Sequence, residues 1–375
     1  MRISRLSPFF KLKEINWFIV SIMSLIAFIG FAMMVSAGNG SFSPWASQQL
    51  LKFVVAFCLM IIVAITPMRV LMEYAYIVYG FGILVLIGVA IAGHTGMGAQ
   101  RWLKLGGLNL QPSEFMKLAV ILALARYFHQ LHPEEIRRPA FLIPPALLII
   151  IPAALILKEP NMGTAIIVMT VGATMCFLAG VPWRYFIGLA ISGVASAPLI
   201  WHFMHDYQKR RVITFLDPSQ DPLGAGYNIL QSMIAIGSGG FFGKGYLQGS
   251  QNQLNFLPEK HTDFIFTMVA EELGFLGSVI LLGLYAVLLA SGMTVALRSR
   301  STFGTMVAGG VTAMLFVHIV INCGMVMGML PVVGVPLPLM SYGGSIMVSA
   351  VLAVGLLLNV YVHRDQQPSR LTPRL

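Results

Sequence analysis

Charged residues are scarce in this sequence. Asp, Glu, Lys and Arg make up only 10% of the 375 residues, whereas 57% are hydrophobic. A soluble domain carries about 25% charged residues, so the composition excludes an ordinary soluble protein. Several apolar runs reach roughly 20 residues, the length that crosses a hydrocarbon core of about 30 Å. We therefore predict an all-α polytopic membrane protein, because the short alternating segments of a membrane β-barrel are missing.

Cysteine is rare as well. The three thiols, Cys58, Cys176 and Cys323, lie in apolar runs and form no Cys-x-x-Cys pair. This spacing argues against a disulfide framework and against a zinc site, so we expect buried structural thiols. The histidines do not cluster at metal-ligand spacing, and the pattern assigns them no role.

Acidic residues number 14 against 24 basic residues, which gives a net charge of +10. The basic residues are scattered through short loops and form no single face, so we exclude nucleic acid as a partner. Loop bias toward the cytoplasm and attraction to anionic membrane lipids explain the charge better.

The apolar segments predict ten membrane spans. Their approximate bounds are 15–37, 48–66, 72–92, 112–131, 139–157, 162–181, 184–204, 263–296, 303–330 and 338–361. Lys and Arg concentrate at both termini and in the even-to-odd loops, so both termini are expected in the cytoplasm. We treat 1–375 as a single membrane domain, with cytoplasmic ends at 1–14 and 362–375 and one large extracytoplasmic loop at 205–262.

The 205–262 loop contains helical patterns of its own. Tyr207–Phe215 is basic and amphipathic, and apolar residues recur at helical spacing within Gly226–Gly243. We expect short helices that lie at the outer membrane surface.

Basic residues on the predicted outer side are few but concentrated. They are Arg101, Lys104, Lys158, Lys209, Arg210, Arg211, Lys244 and Lys260. An anionic ligand on the outer face explains them, and so does ordinary contact with lipid headgroups; the two interpretations stand side by side.

The segment 98–119, GAQRWLKLGGLNLQPSEFMKLA, combines several of these features. Pro112 is suited to the first position of a helix. Glu114 and Lys117 are three residues apart, so they share a helix face and can form an ion pair near the membrane boundary. Arg101 and Lys104 stand just before and can meet phosphate oxygens. A capped helix with a stabilising ion pair is the structural alternative.

A polar loop carries acidic residues straight into an apolar run at 244–275. Asp263 lies where the loop becomes helix, after Thr262, a plausible cap. Its carboxylate suits either a helix-dipole acid, or a general base or divalent-cation ligand facing a polar substrate. Glu271 and Glu272 follow about 12 Å and 13 Å further along a helix at 1.5 Å per residue, where structural pairing is as good an interpretation as substrate contact.

The segment 328–345, GMLPVVGVPLPLMSYGGS, interrupts what would otherwise be a helix. Non-helical backbone at membrane depth is tolerated only where it is buried in protein or lines a cavity. The Tyr-Gly-Gly turn suggests close approach of the backbone to a ligand or another helix, with gating or packing as the alternative.

These segments, together with DPLGAGYNILQSMIAIGSGGFFGKGYLQGSQNQLNFLPEKHTDFIF and AEELGF, strongly resemble the SEDS family of cell-wall synthases, which includes RodA, FtsW and SpoVE. The resemblance covers nearly the whole chain, and the run before Asp263 is most similar to the RodA branch. One motif departs from the family: EPNMGT stands where QPDLGT is common, so Glu159 replaces Gln and Asn161 replaces Asp. We assign Asn161 no catalytic role.

The resemblance implies a peptidoglycan glycosyltransferase that polymerises lipid II into glycan strands during cell elongation and releases undecaprenyl pyrophosphate. Asp263 matches the acid that the family requires for polymerisation, and Arg101, Glu114 and Lys117 match its other motif residues. We add Lys104 and Lys244 as substrate-binding candidates. A divalent cation, Mg²⁺ or Mn²⁺, is compatible with this site, and the resemblance implies no other cofactor.

The resemblance also implies partners and a place: a class B penicillin-binding protein transpeptidase, elongation-complex membrane proteins and membrane lipids, in the bacterial inner membrane. Two other functions stay open. A lipid II flippase needs polar residues along the full membrane depth, whereas these charges cluster near the outer face. A purely structural subunit that recruits the transpeptidase predicts that charge-neutral changes at Asp263 leave growth intact.

Overall fold

The computed structural model describes residues 8–92, 94–96, 99–105, 108–221, 224–254, 256 and 260–367. The described part is a helical bundle with one small sheet. The helices are α1 Pro8–Lys13, α2 Trp17–Ala37, α3 Trp45–Ile65, α4 Met68–Ala92, α5 Pro112–Gln130, α6 Ile143–Lys158, α7 Met162–Leu178, α8 Trp183–Ala195, α9 Ala197–Phe203, α10 Asp206–Leu216, α11 Ala225–Ser238, α12 Ser250–Gln253, α13 Ile265–Glu272, α14 Gly274–Arg298, α15 Thr302–Val326 and α16 Gly344–Val362.

The helices fit a multi-pass membrane protein. Among the described residues, seven are long and apolar enough to cross a bilayer, or eight if the bent pair α8 and α9 counts as one span. Two further predicted spans fall outside this set for simple reasons. The helix α5 carries three charges, and α7 has only 17 residues. The predicted count of ten spans stays a prediction.

Three predicted spans differ from the helices observed. The seventh is bent by 50° between α8 and α9. The eighth, predicted at 263–296 as one long helix, is divided at Leu273 into α13 and α14, because Gly274 adopts a φ of +68°. The tenth begins at Gly344 and not at 338. Thr262 does not cap α13 either, since its N-cap is Phe264, which makes no capping hydrogen bond.

The connections contain structure of two kinds. The helices α10, α11 and α12 occupy the long loop at 205–262, where the sequence pattern placed short helices. A three-stranded antiparallel sheet follows α4, with β1 at His94–Gly96, β2 at Ala99–Leu105 and β3 at Leu108–Leu110. The sequence pattern did not predict these strands.

The core of the bundle lies around α5, α15 and α16, which are buried on most of their faces. The helices α15 and α16 contain no Asp, Glu, Lys or Arg, and helices that are apolar all round are typical of such central positions. The helix α2 packs closely on the non-helical segment before α16, because a Cβ on Gly30 would lie only 2.8 Å from the Met340 backbone. One cysteine prediction is wrong: Cys323 is buried, whereas Cys58 is exposed on α3.

Candidate functional site

Asp263 lies in the turn immediately before α13 and is partly exposed. The side chain of Asn322, which is fully buried on α15, fixes the backbone of this turn. Its Nδ2 donates to the Asp263 carbonyl oxygen at 2.8 Å and to the Val335 carbonyl oxygen at 2.7 Å. Asn322 therefore holds the turn and the 331–338 segment together.

A glycine keeps space beside the Asp263 carboxylate. Gly334 has a φ of +70°, a conformation that side chains rarely adopt. A Cβ built there would lie 3.5 Å from Asp263 Oδ2. The absence of a side chain at this position therefore leaves that side of the carboxylate open.

One cation that acts on Asp263 comes from the long loop. Burial lowers the pKa of the Arg211 guanidinium on α10, whereas the charges of Tyr207 and Asp263 act in the opposite direction. A guanidinium remains charged under all ordinary conditions, so it contributes a fixed positive field at the Asp263 carboxylate. The sequence pattern had marked Arg211 only as one of several outer-side basic residues.

The segment between α15 and α16 is non-helical, as its prolines and glycines predicted, and it is largely buried from Val333 onward. Val335, Leu337 and Leu339 are at most 2% exposed. One of its own side chains and side chains from α14 and α3 satisfy polar backbone groups of this segment. They are Ser341, which accepts from the Leu337 N–H at 2.7 Å, Tyr285, which donates to the Pro338 carbonyl at 2.5 Å, and Gln49, which donates to the Ser341 carbonyl at 2.9 Å.

Glu114 and Lys117 form the predicted ion pair, but inside the protein. Lys117 Nζ lies 2.9 Å from both Glu114 oxygens, and the two residues are 1% and 4% exposed. His318 Nε2 lies 2.7 Å from the same ammonium, so it accepts a hydrogen bond and the ring is neutral. Ser349 donates to Glu114 at 3.1 Å. In this arrangement the pair is enclosed, so its contact with substrate stays a prediction.

One face of α15 links this buried pair to the Asp263 turn. His318 and Asn322 are four residues apart and therefore lie on the same side of the helix. His318 holds Lys117, and Asn322 holds the backbone of Asp263. The sequence pattern gave neither residue a role; the only available signal was a single His and a single Asn in an otherwise apolar run.

Lys244, in the long loop, forms an ion pair with Glu271 near the end of α13. Its Nζ lies 2.8 Å from Glu271 Oε1, which also accepts from Ser250 and from the Gln251 N–H. Glu272 accepts hydrogen bonds from Ser36 on α2 and from the Leu247 N–H. Both glutamates are 1% exposed, which agrees with the structural interpretation of this acid pair.

The remaining candidates lie on the 94–110 sheet and at the start of α7. Arg101 and Lys104 belong to β2, but their side chains lie outside the described residues. Asn161 caps α7 through the Thr164 N–H and donates to Ser113 at the start of α5. The Asn at this departure from the family motif therefore joins two helix N-termini, and Glu159 beside it is buried.

A second cation near the Asp263 turn was missed. Lys52 on α3 lies with its Nζ 4.6 Å from the centre of the Tyr342 ring. The backbone N–H of Tyr342 donates to the His261 carbonyl at 2.9 Å, and the His261 ring stacks on Trp45 at 4.6 Å. The signal in the sequence was the lone charge in the apolar run of α3.

Metal ligands are sparse here. Within the described ranges, no group of three or more His, Cys, Asp or Glu is placed to hold a metal ion. The donor set at Asp263 is a single hard carboxylate, which suits Mg²⁺ or Mn²⁺ only when a substrate supplies the other oxygens.

Comparison with known proteins gives one family. The family model for cell cycle proteins of the FtsW, RodA and SpoVE type matches residues 11–366. The peptidoglycan glycosyltransferase MrdB of Escherichia coli strain K12 is 44% identical over 336 residues, which cover 89% of this chain and 90% of MrdB.

Two solved structures have the same fold. One belongs to a peptidoglycan synthase complex described as coordinating polymerization and crosslinking. It has a TM-score of 0.83 and 32% identity, and it covers 94% of this chain and 99% of its own. The other is the rod shape determining protein RodA of Thermus thermophilus, with a TM-score of 0.70, 30% identity, and coverage of 94% and 98%.

Proposed function

The chain belongs to the FtsW/RodA/SpoVE family of cell cycle proteins, and from this premise we propose that it is a peptidoglycan glycosyltransferase that polymerises lipid II. The high coverage of the similar proteins supports the activity for the whole chain. The observation that carries the catalytic part is the Asp263 turn, where Asn322 fixes the backbone of a partly exposed Asp263 and Gly334 leaves space beside its carboxylate.

In the proposed reaction, a hydroxyl of the acceptor sugar attacks the anomeric carbon of the lipid-linked donor sugar. The bond from that carbon to the phosphate oxygen breaks, and its electron pair leaves with undecaprenyl pyrophosphate. Asp263 takes the proton of the hydroxyl as general base. Positive groups stabilise the charge that develops on the leaving group.

Arg101 and Lys104 are proposed for that electrostatic role, because both are cations of β2 on the predicted outer side and Arg101 matches a motif residue of the family. Glu114, Lys117 and Lys244 are proposed as further substrate-binding residues. Each is engaged in an ion pair, so a direct contact requires that the pair opens. A bound Mg²⁺ or Mn²⁺ would supply further charge stabilisation, with Asp263 as its protein ligand.

The proposed setting is the bacterial inner membrane with both termini in the cytoplasm. The similar structure of a peptidoglycan synthase complex supports a partner that crosslinks the product. We propose that this partner is a class B penicillin-binding protein transpeptidase, within an assembly of elongation membrane proteins.

The experiment that tests the activity uses the purified full chain with its transpeptidase partner and lipid II in detergent, where no translocation is possible. Glycan polymer is the expected product. Its complete absence from folded protein would contradict the proposal.

Lipid II translocation is the second candidate, because Glu114, Lys117 and His318 place polar groups inside the bundle. Proteoliposomes loaded with labelled lipid II separate the two functions. Movement of lipid II between leaflets without polymer formation would contradict the polymerase and support the flippase.

A further inference from the structure

Lys52 is a cation at an unusual depth. It lies seven residues after Trp45, the first residue of α3, and therefore about 10 Å along the helix at 1.5 Å per residue. The surrounding run, LLKFVVAFCLM, is apolar. A charge in such a helix is costly unless it is solvated, paired or used for function.

Among the residues that the structure describes, no anion neutralises this charge. Within the described part of the chain, the Lys52 ammonium makes no ion pair and no hydrogen bond, and its contact is with the face of the Tyr342 ring. An aromatic face attracts a cation but leaves its net charge in place. The side-chain stem lies beside Gly344, where α16 begins without a side-chain cap, so the partial positive charge of this helix end adds to the field.

The position borders the proposed catalytic turn. Tyr342 is hydrogen-bonded to the backbone of His261, two residues before Asp263, and the His261 ring lies 5.6 Å from the Tyr342 ring. On the other side, the Tyr342 hydroxyl donates to Gln48 at 2.6 Å. Tyr342 is thus held between α3 and the Asp263 turn, and the Lys52 ammonium lies over the face of its ring.

We propose that Lys52 and the Tyr342 ring form an anion subsite that binds the phosphate groups of a polyprenyl-linked saccharide beside Asp263. The inference rests on the proposed function and names a binding residue for the same reaction. A phosphate supplies the missing negative charge, and the apolar surface of α3 below Lys52 suits the attached hydrocarbon chain. The subsite holds the charged part of the substrate away from the Asp263 carboxylate, which would otherwise repel it.

The same chemistry occurs in bulk phospholipids, whose headgroup phosphates also lie near the membrane surface. A lysine that only reaches toward these headgroups would serve as a membrane anchor. The experiment therefore separates substrate phosphate from headgroup phosphate.

The test uses Lys52→Met, which keeps the length of the side chain, and Lys52→Arg, which keeps its charge. Arg69→Gln is the matched control, because Arg69 is an exposed cation outside the site. The first readout is binding of undecaprenyl pyrophosphate to the full chain in phospholipid-free detergent. The second is KM and kcat for lipid II, with the partner present, in phosphatidylcholine and in phosphatidylglycerol bilayers.

Lys52→Met should weaken pyrophosphate binding and raise KM by about tenfold, the effect of one lost charge-assisted hydrogen bond, in both kinds of bilayer. Lys52→Arg should stay near the wild type, and Arg69→Gln should change neither value. The thermal midpoint of Lys52→Met should not fall, because no ion pair is lost.

Unchanged pyrophosphate binding in Lys52→Met would overturn the subsite. So would a KM effect confined to phosphatidylglycerol bilayers, which identifies a headgroup contact. A wild-type chain that binds pyrophosphate through Lys52 but makes no polymer would support the subsite while contradicting the proposed function.

Discussion

At the scale of single residues, the ion pair between Glu114 and Lys117 is buried, which gives it a large energetic consequence. Two charges have left water, and only their mutual attraction and the contacts to His318 and Ser349 offset the desolvation. Removal of one partner leaves an uncompensated buried charge, whereas removal of both leaves none.

We predict that Lys117→Met lowers the free energy of unfolding by about 3–5 kcal/mol, and that the double variant Glu114→Gln/Lys117→Met recovers much of the loss. Thermal or denaturant unfolding in detergent measures both. Arg69→Met is the control at the exposed Arg69–Glu73 pair, where about 0–1 kcal/mol is expected. Equal losses at the two sites would show that burial does not govern the cost.

At the scale of elements, the break between α13 and α14 sets the position of Asp263. Gly240 and Phe241 accept hydrogen bonds from the first N–H groups of α14, and the Lys244 N–H donates to the Glu271 carbonyl. The loop thus satisfies backbone groups that the break leaves without helical partners. The break therefore sets the direction of α13 and the position of the turn before it.

The break between α13 and α14 depends on Gly274. Its φ is +68°, and a Cβ there would lie 2.2 Å from the Gly243 nitrogen. We predict that Gly274→Ala destabilises the protein by roughly 1–3 kcal/mol and reduces polymerisation, because the strained backbone must shift. Unfolding and the detergent polymerisation assay check the two effects.

Gly283→Ala is the matched control on the same helix, since a Cβ there meets no atom within 4 Å. This change should stabilise α14 slightly, because Ala has the higher helix propensity. If both variants behave alike, the break does not position the site.

The sequence predicted the elements better than their interruptions. Long apolar runs and Pro112 located most helices, because length and the missing proline N–H leave few alternatives. The division at Leu273 was missed, since the run stays apolar across it and a single glycine is a weak signal. The start of α16 was placed too early because hydropathy does not distinguish buried loop from helix.

At the scale of the whole molecule, the proposed orientation places the 205–262 loop on the outer side. In a chain whose three cysteines are replaced by alanine, Ser219→Cys in this loop should react with a membrane-impermeant maleimide in intact cells with a permeable outer layer. Glu134→Cys, between α5 and α6, should react only after the inner membrane is permeabilised. The reverse pattern would invert the proposed orientation. Both positions are exposed, so access is not limited by burial.

The sequence could nominate a site residue only where that residue carries an identifiable chemical type. Asp263 was identified as the candidate catalytic residue by its position at the border between loop and helix and by the family motif. His318, Asn322 and Lys52 were not, because their roles depend on contacts between helices that are distant in sequence. A single polar residue in an apolar run indicates that a partner exists, but only the packed bundle identifies it.

The most direct test of the central claim is glycan polymerisation by Asp263→Asn in the purified complex with its transpeptidase partner. Asn keeps the shape of the side chain but cannot accept the proton, so we predict a loss of at least about 100-fold in rate with unchanged thermal stability. Asp206→Asn, the same change at an exposed position of the same loop, should retain full activity. Polymer formation by Asp263→Asn at the wild-type rate would contradict the assignment of Asp263 as the general base.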